Sequence, residues 1–241
     1  MRTLTRNRTI RLFFLATLLS LTGCFSLSRQ APLPQHYVLG AGGPPEHAAP
    51  PVDRPVADSS GHLIGLRPPR VAEYLATPFI VVRRGAHQVE FSEYHRWGED
   101  LGRAINRIVA GRMASRTPPH RVEAAPWPAG TSPEHVIQVH ILRFEGVAPE
   151  SPGNAEGEAH LLATWEILRL LDGSLLARGT TEVREGGWTV GDFDGLVRLL
   201  DAGLEILTED LALSLEGALA PLGSSGATPS FPPAPSPPPG T

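Results

Sequence analysis

The sequence predicts an α/β fold: a single domain in which a mixed β-sheet packs with two main amphipathic helices, in the order strands, helix, strands, helix. Three observations carry this expectation. Phe193, Leu196, Leu200, Leu204, Leu207, Leu211 and Leu215 recur at the spacing of one helical face. Trp97, Leu101, Ile105, Ile108 and Met113 do the same in mid-chain. Before and between these two stretches, apolar residues alternate with polar ones in short runs bounded by turn residues, the period of half-buried strands.

Along the chain, residues 24–35 form a short polar, proline-bearing tether, and Tyr37-Val38-Leu39 is a small strand-like patch at the start of a domain spanning 36–219. Residues 40–61 are rich in Gly, Pro, Ala and Asp without an apolar period, which reads as a flexible insertion. His62 to Arg67 and Pro78 to Arg84 are strands, the second carrying β-branched Ile80-Val81-Val82. Gly85-Ala86 turns that strand into a third, His87 to Phe91. The first helix starts at Trp97, with Glu99 and Arg103 spaced for an i, i+4 ion pair. It ends before Thr117-Pro118-Pro119, because proline excludes helical geometry from the residue ahead of it.

Ile137, Val139 and Ile141 then alternate with Gln138, His140 and Leu142, giving a strand with one apolar and one mixed face. Leu161, Ala163, Trp165 and Ile167 line one face of the next strand, and Asp172-Gly173 signals a hairpin turn into Leu175 to Glu185. The last helix runs for about six turns, with Asp192 or Asp194 as its N-cap. Residues 220–241 contain little but Pro, Ser, Gly and Ala, too little apolar surface to offset ordering entropy, so disorder is expected there.

The first 23 residues read as an export signal: Arg2, Arg6, Arg8 and Arg11, then an apolar run from Leu12 to Leu21, then a small residue at the cut. The run is too short to span a bilayer, which takes about 20 residues. Leu21-Thr22-Gly23-Cys24 resembles the bacterial lipobox. That likeness implies cleavage after Gly23 and a new N-terminus at Cys24 bearing diacylglycerol and an N-acyl chain. A plain secretory signal with a chance cysteine is the alternative. Cys24 is the only cysteine, so once acylated it leaves no thiol for a disulfide, a zinc site or a nucleophile.

Losing four arginines with the signal takes the formal charge from -4 to about -8, and the chain has no lysine. An acidic domain without a basic stretch argues against nucleic-acid binding, which requires phosphate neutralisation. Adhesion to anionic lipid through charge is equally disfavoured, so the acyl chains would supply the membrane affinity.

No sequence pattern assembles an active site. A nucleophile elbow, a phosphate-binding loop and a His-Glu-x-x-His helix are all missing. Nine histidines are present, but His135 and His140 point to opposite faces of one strand, so they are read as solvated or hydrogen-bonded and no metal or other cofactor is expected. Asp192-Phe193-Asp194-Gly195 lacks the later ligands of a calcium loop. Glu99-Asp100 and Glu209-Asp210 are helix neighbours that do not face each other. Asp201, Glu205 and Glu209 stack at i, i+4 as an acidic ridge: either a solvated face, or a contact with the Arg103–Arg107 side of a neighbouring subunit's first helix. Tyr37 and Tyr74, each near a leucine at a segment boundary, are candidate partner-facing residues. Trp97, Phe144 and Trp165 fall on buried periods and are read as core.

Several pieces, in order, resemble one family: the auxiliary lipoproteins of ABC-type and MCE-domain lipid transport systems, typified by PqiC. They are the lipobox cysteine, Tyr37-Val38-Leu39, Glu73-Tyr74-Leu75, Arg96-Trp97-Gly98-Glu99-Asp100-Leu101, Arg143-Phe144-Glu145-Gly146, the strand around Trp165, and Asp192-Phe193-Asp194. The resemblance spans 36–219; the insertion and the proline-rich tail fall outside it. It implies a non-enzymatic lipoprotein at the inner face of the outer membrane, working beside a periplasm-spanning MCE protein and forming a homo-oligomer such as a ring. Phe25 stands where an aspartate commonly retains lipoproteins at the inner membrane, which favours outer-membrane sorting. An assembly factor or activator for other envelope machinery, such as a peptidoglycan synthase activator or a secretin pilot, is the alternative.

Overall fold

The chain is built as β1 (Gln35–Tyr37), β2 (Leu63–Leu66), β3 (Arg70–Val71), a 3-10 turn (Glu73–Leu75), β4 (Phe79–Arg84), β5 (Gln88–Trp97), α1 (Leu101–Arg116), β6 (Arg121–Ala124), β7 (His135–Ala148), β8 (Glu156–Arg169), β9 (Leu175–Thr189) and α2 (Phe193–Leu219). The computed structural model describes residues 32–40, 61–127, 130–150 and 156–220. Gly23, Cys24, most of the tether and insertion, and the proline-rich tail beyond Ala220 lie outside the described residues.

β7 is the spine of a mixed sheet of nine strands among the described residues. One edge of it takes β8 and then β9, both antiparallel. The other edge takes β2, β3 and β4 in succession, all parallel. β6 flanks β2, β5 flanks β4, and β1 flanks β5. α2 lies on β8 and β9, and α1 lies beside α2 and against β6. The predicted architecture, a mixed sheet with two helices in strand-helix-strand-helix order, is the one observed.

A β-bulge keeps β7 continuous with the core over its whole length. Ile137, Val139 and Ile141 are buried at odd positions, the register shifts between Ile141 and Arg143, and Phe144 and Ala148 are then buried at even ones. One extra residue, Leu142, therefore flips the alternation while the same face stays inward. Ala159, Leu161, Ala163, Trp165 and Ile167 of β8 face the same core. The six leucines of the α2 stripe close it, each worth about 2 kcal/mol when buried. Asp192 caps α2 by accepting the Gly195 amide at 3.0 Å, which decides between the two predicted caps. The Asp172-Gly173 turn is a hairpin as predicted, with Gly173 at φ +69°.

Two expectations need correction. Trp97 closes β5 rather than opening α1, and α1 begins at Leu101 behind the cap of Asp100, whose carboxylate accepts the Arg103 amide at 2.9 Å. The reason is pairing: Trp97 is matched to Tyr37 of β1 and donates its amide to Pro78 O at 2.7 Å, which holds it extended. The strand predicted at His87 to Phe91 accordingly runs on to Trp97. Glu99 pairs with Arg107 instead of Arg103, and Arg103 lies 3.9 Å from Asp100. Phe144 and Trp165 are buried as their periods predicted, and Trp97 is buried from a strand rather than from the helix its spacing predicted.

Candidate functional site

Three adjacent parallel strands, β6, β2 and β7, start at the same end of the sheet. Parallel pairing sets Leu63 beside Arg121 and Ile64 beside His135. The residues at or just before those starts, His120, His62 and Glu134-His135, are thereby brought together. Glu134 is fixed to β2 by its amide, which donates to Leu63 O at 2.9 Å.

Within this cluster His62 Nδ1 and Glu134 Oε2 are 2.6 Å apart. The His62 amide donates to His120 Nδ1 at 3.1 Å, and the two rings stack with centroids 5.5 Å apart. His135 stands edge-on to His62 at 5.1 Å. Only 6% of His135 is exposed, and its Nδ1 has no hydrogen-bond partner among the described residues. Burial holds the imidazoles of His120 and His135 below their ordinary value, and the neighbouring His62 adds to this. The Glu134 carboxyl is lowered, chiefly by its hydrogen bond with His62. His62, Glu134 and His135 are, among the described residues, the group whose donor atoms converge, all within 4.8 Å of one another.

These residues form one wall of a groove of about 1040 Å³. Arg169, Leu170, Leu171 and Leu176 of the β8–β9 hairpin and the last residues of α2 form the rest. Sequence reasoning missed this cluster because it tested His135 only against His140 on the same strand. The actual partner, His62, belongs to another strand. The available signal was a histidine or acid immediately ahead of each strand, usable only once the three strands are known to be parallel neighbours.

The residues predicted to face a partner fall into separate, internally bonded networks. Tyr37 Oη bonds Gln35 Oε1 at 2.7 Å and His95 Nδ1 at 2.9 Å. Tyr74 Oη donates to Leu142 O at 3.2 Å, and the Arg83 guanidinium lies 5.6 Å from its ring centre. Burial and then the Glu145 carboxylate push the Tyr74 phenol up to about 12. Glu145 is fully buried and is held by Arg83 at 2.6 Å and Arg143 at 3.1 Å.

For the acidic ridge, Asp201 and Glu205 pair with arginines of the same chain. α1 and α2 lie side by side, so Arg112 reaches Asp201 at 2.9 Å and Glu205 at 3.2 Å, and Arg116 also pairs with Glu205. Asp201 further accepts the Gly40 amide at 3.1 Å, tying the start of the insertion to α2. Glu209 is exposed, so the ridge is part clamp and part solvated face. Replacing Asp201 with alanine should destabilise the domain by about 1.5 kcal/mol, the lower end for hydrogen bonds to charged groups, because the pair is partly exposed. A shift of the urea midpoint at constant slope reads this out; an unchanged midpoint would remove the clamp from the account.

Among the described residues no helix is long and apolar enough to cross a membrane. The fold is similar to the crystal structure of protein XCC0632 from Xanthomonas campestris, at 14% identity over 77% of this chain and 95% of that one, with a TM-score of 0.55. It is also similar to the crystal structure of an uncharacterized protein, at 16% identity over 64% of this chain and 92% of that one, with a TM-score of 0.53. Identities this low show a shared fold and nothing further. No curated protein matches the chain. The model of the family described as ABC-type transport auxiliary lipoprotein component matches residues 45–212, most of the chain, and the protein belongs to that family.

Proposed function

We propose that the protein is a lipid-anchored, non-enzymatic docking component of an MCE-type lipid transporter at the inner face of the outer membrane. The observation that carries this reading is the family match over 45–212 following a lipobox at Leu21-Thr22-Gly23-Cys24. The mechanism is mechanical: diacylglycerol and an N-acyl chain on Cys24 fix the protein to the membrane, and the α/β domain self-associates or grips the MCE protein. Lipid passes through the channel its partner or its own ring provides. Phe25 after the cysteine favours the outer membrane.

Genetic epistasis tests the function. Deleting this chain, deleting the MCE protein, or deleting both should raise envelope permeability to the same extent, because all three remove one pathway. Additive defects would place the two proteins in different pathways and overturn the proposal.

A further inference from the structure

We propose that His62, Glu134 and His135 form a binding site for a divalent transition-metal ion, Zn2+ being the best match to the donor set. Two imidazoles and one carboxylate are a ligand set typical of zinc sites that keep a fourth position open. One donor atom from each residue already lies within 4.8 Å of the others. Bonds of about 2.1 Å in tetrahedral array bring such atoms to roughly 3.4 Å from one another. Reaching that spacing asks the His62–Glu134 pair, now 2.6 Å apart, to open, and the adjustment falls to the more exposed members: the His62 and Glu134 side chains are 38% and 55% exposed. His135 is the fixed member, held in the sheet at the start of β7.

The independent observation is the His135 ring itself. A buried side-chain nitrogen without a hydrogen-bond partner among the described residues is rare in native proteins and calls for an explanation. Metal coordination at this cluster supplies one. His120 supports the site from outside the ligand set, since its ring stacks on His62 and its Nδ1 receives the His62 amide. Groups that orient a ligating histidine in this way tune metal affinity.

All three ligand residues line the same groove as the hairpin leucines and the end of α2, so a fourth ligand would reach the ion from there. Water or an oxygen donor from a bound molecule fills that position. The metal would join the beginnings of β2 and β7, which parallel pairing already sets side by side. The inference is independent of the transport reading, since it needs neither a membrane nor a partner protein.

The test uses the full-length lipidated protein, untagged and in detergent, freed of metal by a chelator and then dialysed. Calorimetric titration with ZnCl2 should give one saturable equivalent. Glu134→Gln and His62→Asn, whose side chains are 55% and 38% exposed, should each weaken binding at least about tenfold. Zn2+ should also raise the melting temperature of the native protein and not of these variants. Substituted Co2+ should develop visible d–d absorption of a nitrogen- and oxygen-ligated site, lost in both variants. No saturable binding, or equal binding by the native protein and both variants, would overturn the assignment.

Discussion

Replacing Cys24 with alanine is expected to move the protein wholly out of the membrane fraction while leaving the domain's melting temperature unchanged. Among the described residues the buried core begins at Leu39, and Cys24 lies outside the described residues. The chain carries a negative formal charge and no lysine, so charge does not draw it to anionic lipid. Acyl chains contribute about 0.8 kcal/mol per buried methylene, and one chain gives only reversible binding whereas two or more anchor stably. On the lipobox reading, losing Cys24 removes the thiol-linked diacylglycerol and the N-acyl chain that follows it, so the effect is all-or-none. Fractionation and complementation check it together: a Cys24→Ala protein that stays with membranes or fully restores the deletion strain would contradict the lipidation assignment.

Trp188→Ala is expected to cost about 3–5 kcal/mol, the range for truncating a buried aromatic side chain. Trp188 is 1% exposed at the end of β9, and its indole N–H donates to Asp192 O at 2.8 Å. Its ring lies across Gly146 and Gly157, where an added Cβ would come within 2.7 Å of it, so the sheet has been thinned to two glycines to receive it. Phe193 meets the ring edge-on at 6.5 Å. The tryptophan thus joins β7, β8, β9 and the start of α2 in one contact, and truncation leaves a cavity those strands cannot collapse to fill. Against a total stability of about 5–15 kcal/mol, this loss should be visible in expression as well as in denaturation. Trp188→Phe keeps most of the ring and should cost clearly less. A Trp188→Ala loss below about 1 kcal/mol would mean that the site is not packed as described.

Which parts of this structure could be read from the sequence follows from how local their causes are. The leucine stripe of α2, the alternation in β7 and β8, and the Asp172-Gly173 turn are encoded within a few residues, and all were legible. The core role of Trp165 followed from the same alternation. Trp97 was placed on the wrong element because its spacing from Leu101 and Ile105 fits a helix, whereas pairing with Tyr37 of β1 keeps it in a strand. β3, β6 and the last turn of β9 with Trp188 were not anticipated, since two- to four-residue strands carry almost no periodic signal and exist only beside their partners.

The site divides along the same line. The acidic ridge was visible as an i, i+4 pattern, but Arg112 and Arg116 could be assigned to it only once α1 and α2 were known to be neighbours. The histidine cluster was invisible, because His62, His120 and His135 converge through the parallel order β6-β2-β7. The family was the reverse case: it was read from ordered short motifs, and the match over 45–212 bears it out, whereas Cys24 lies outside the described residues.

Affinity purification of the full-length protein from native membranes in mild detergent separates a transporter component from other envelope machinery. An MCE-domain protein should be recovered with it, together with the permease and ATPase of an ABC-type system. Recovery of a peptidoglycan synthase or a secretin in its place, with no MCE protein under conditions that keep the transporter intact, would contradict the transporter proposal.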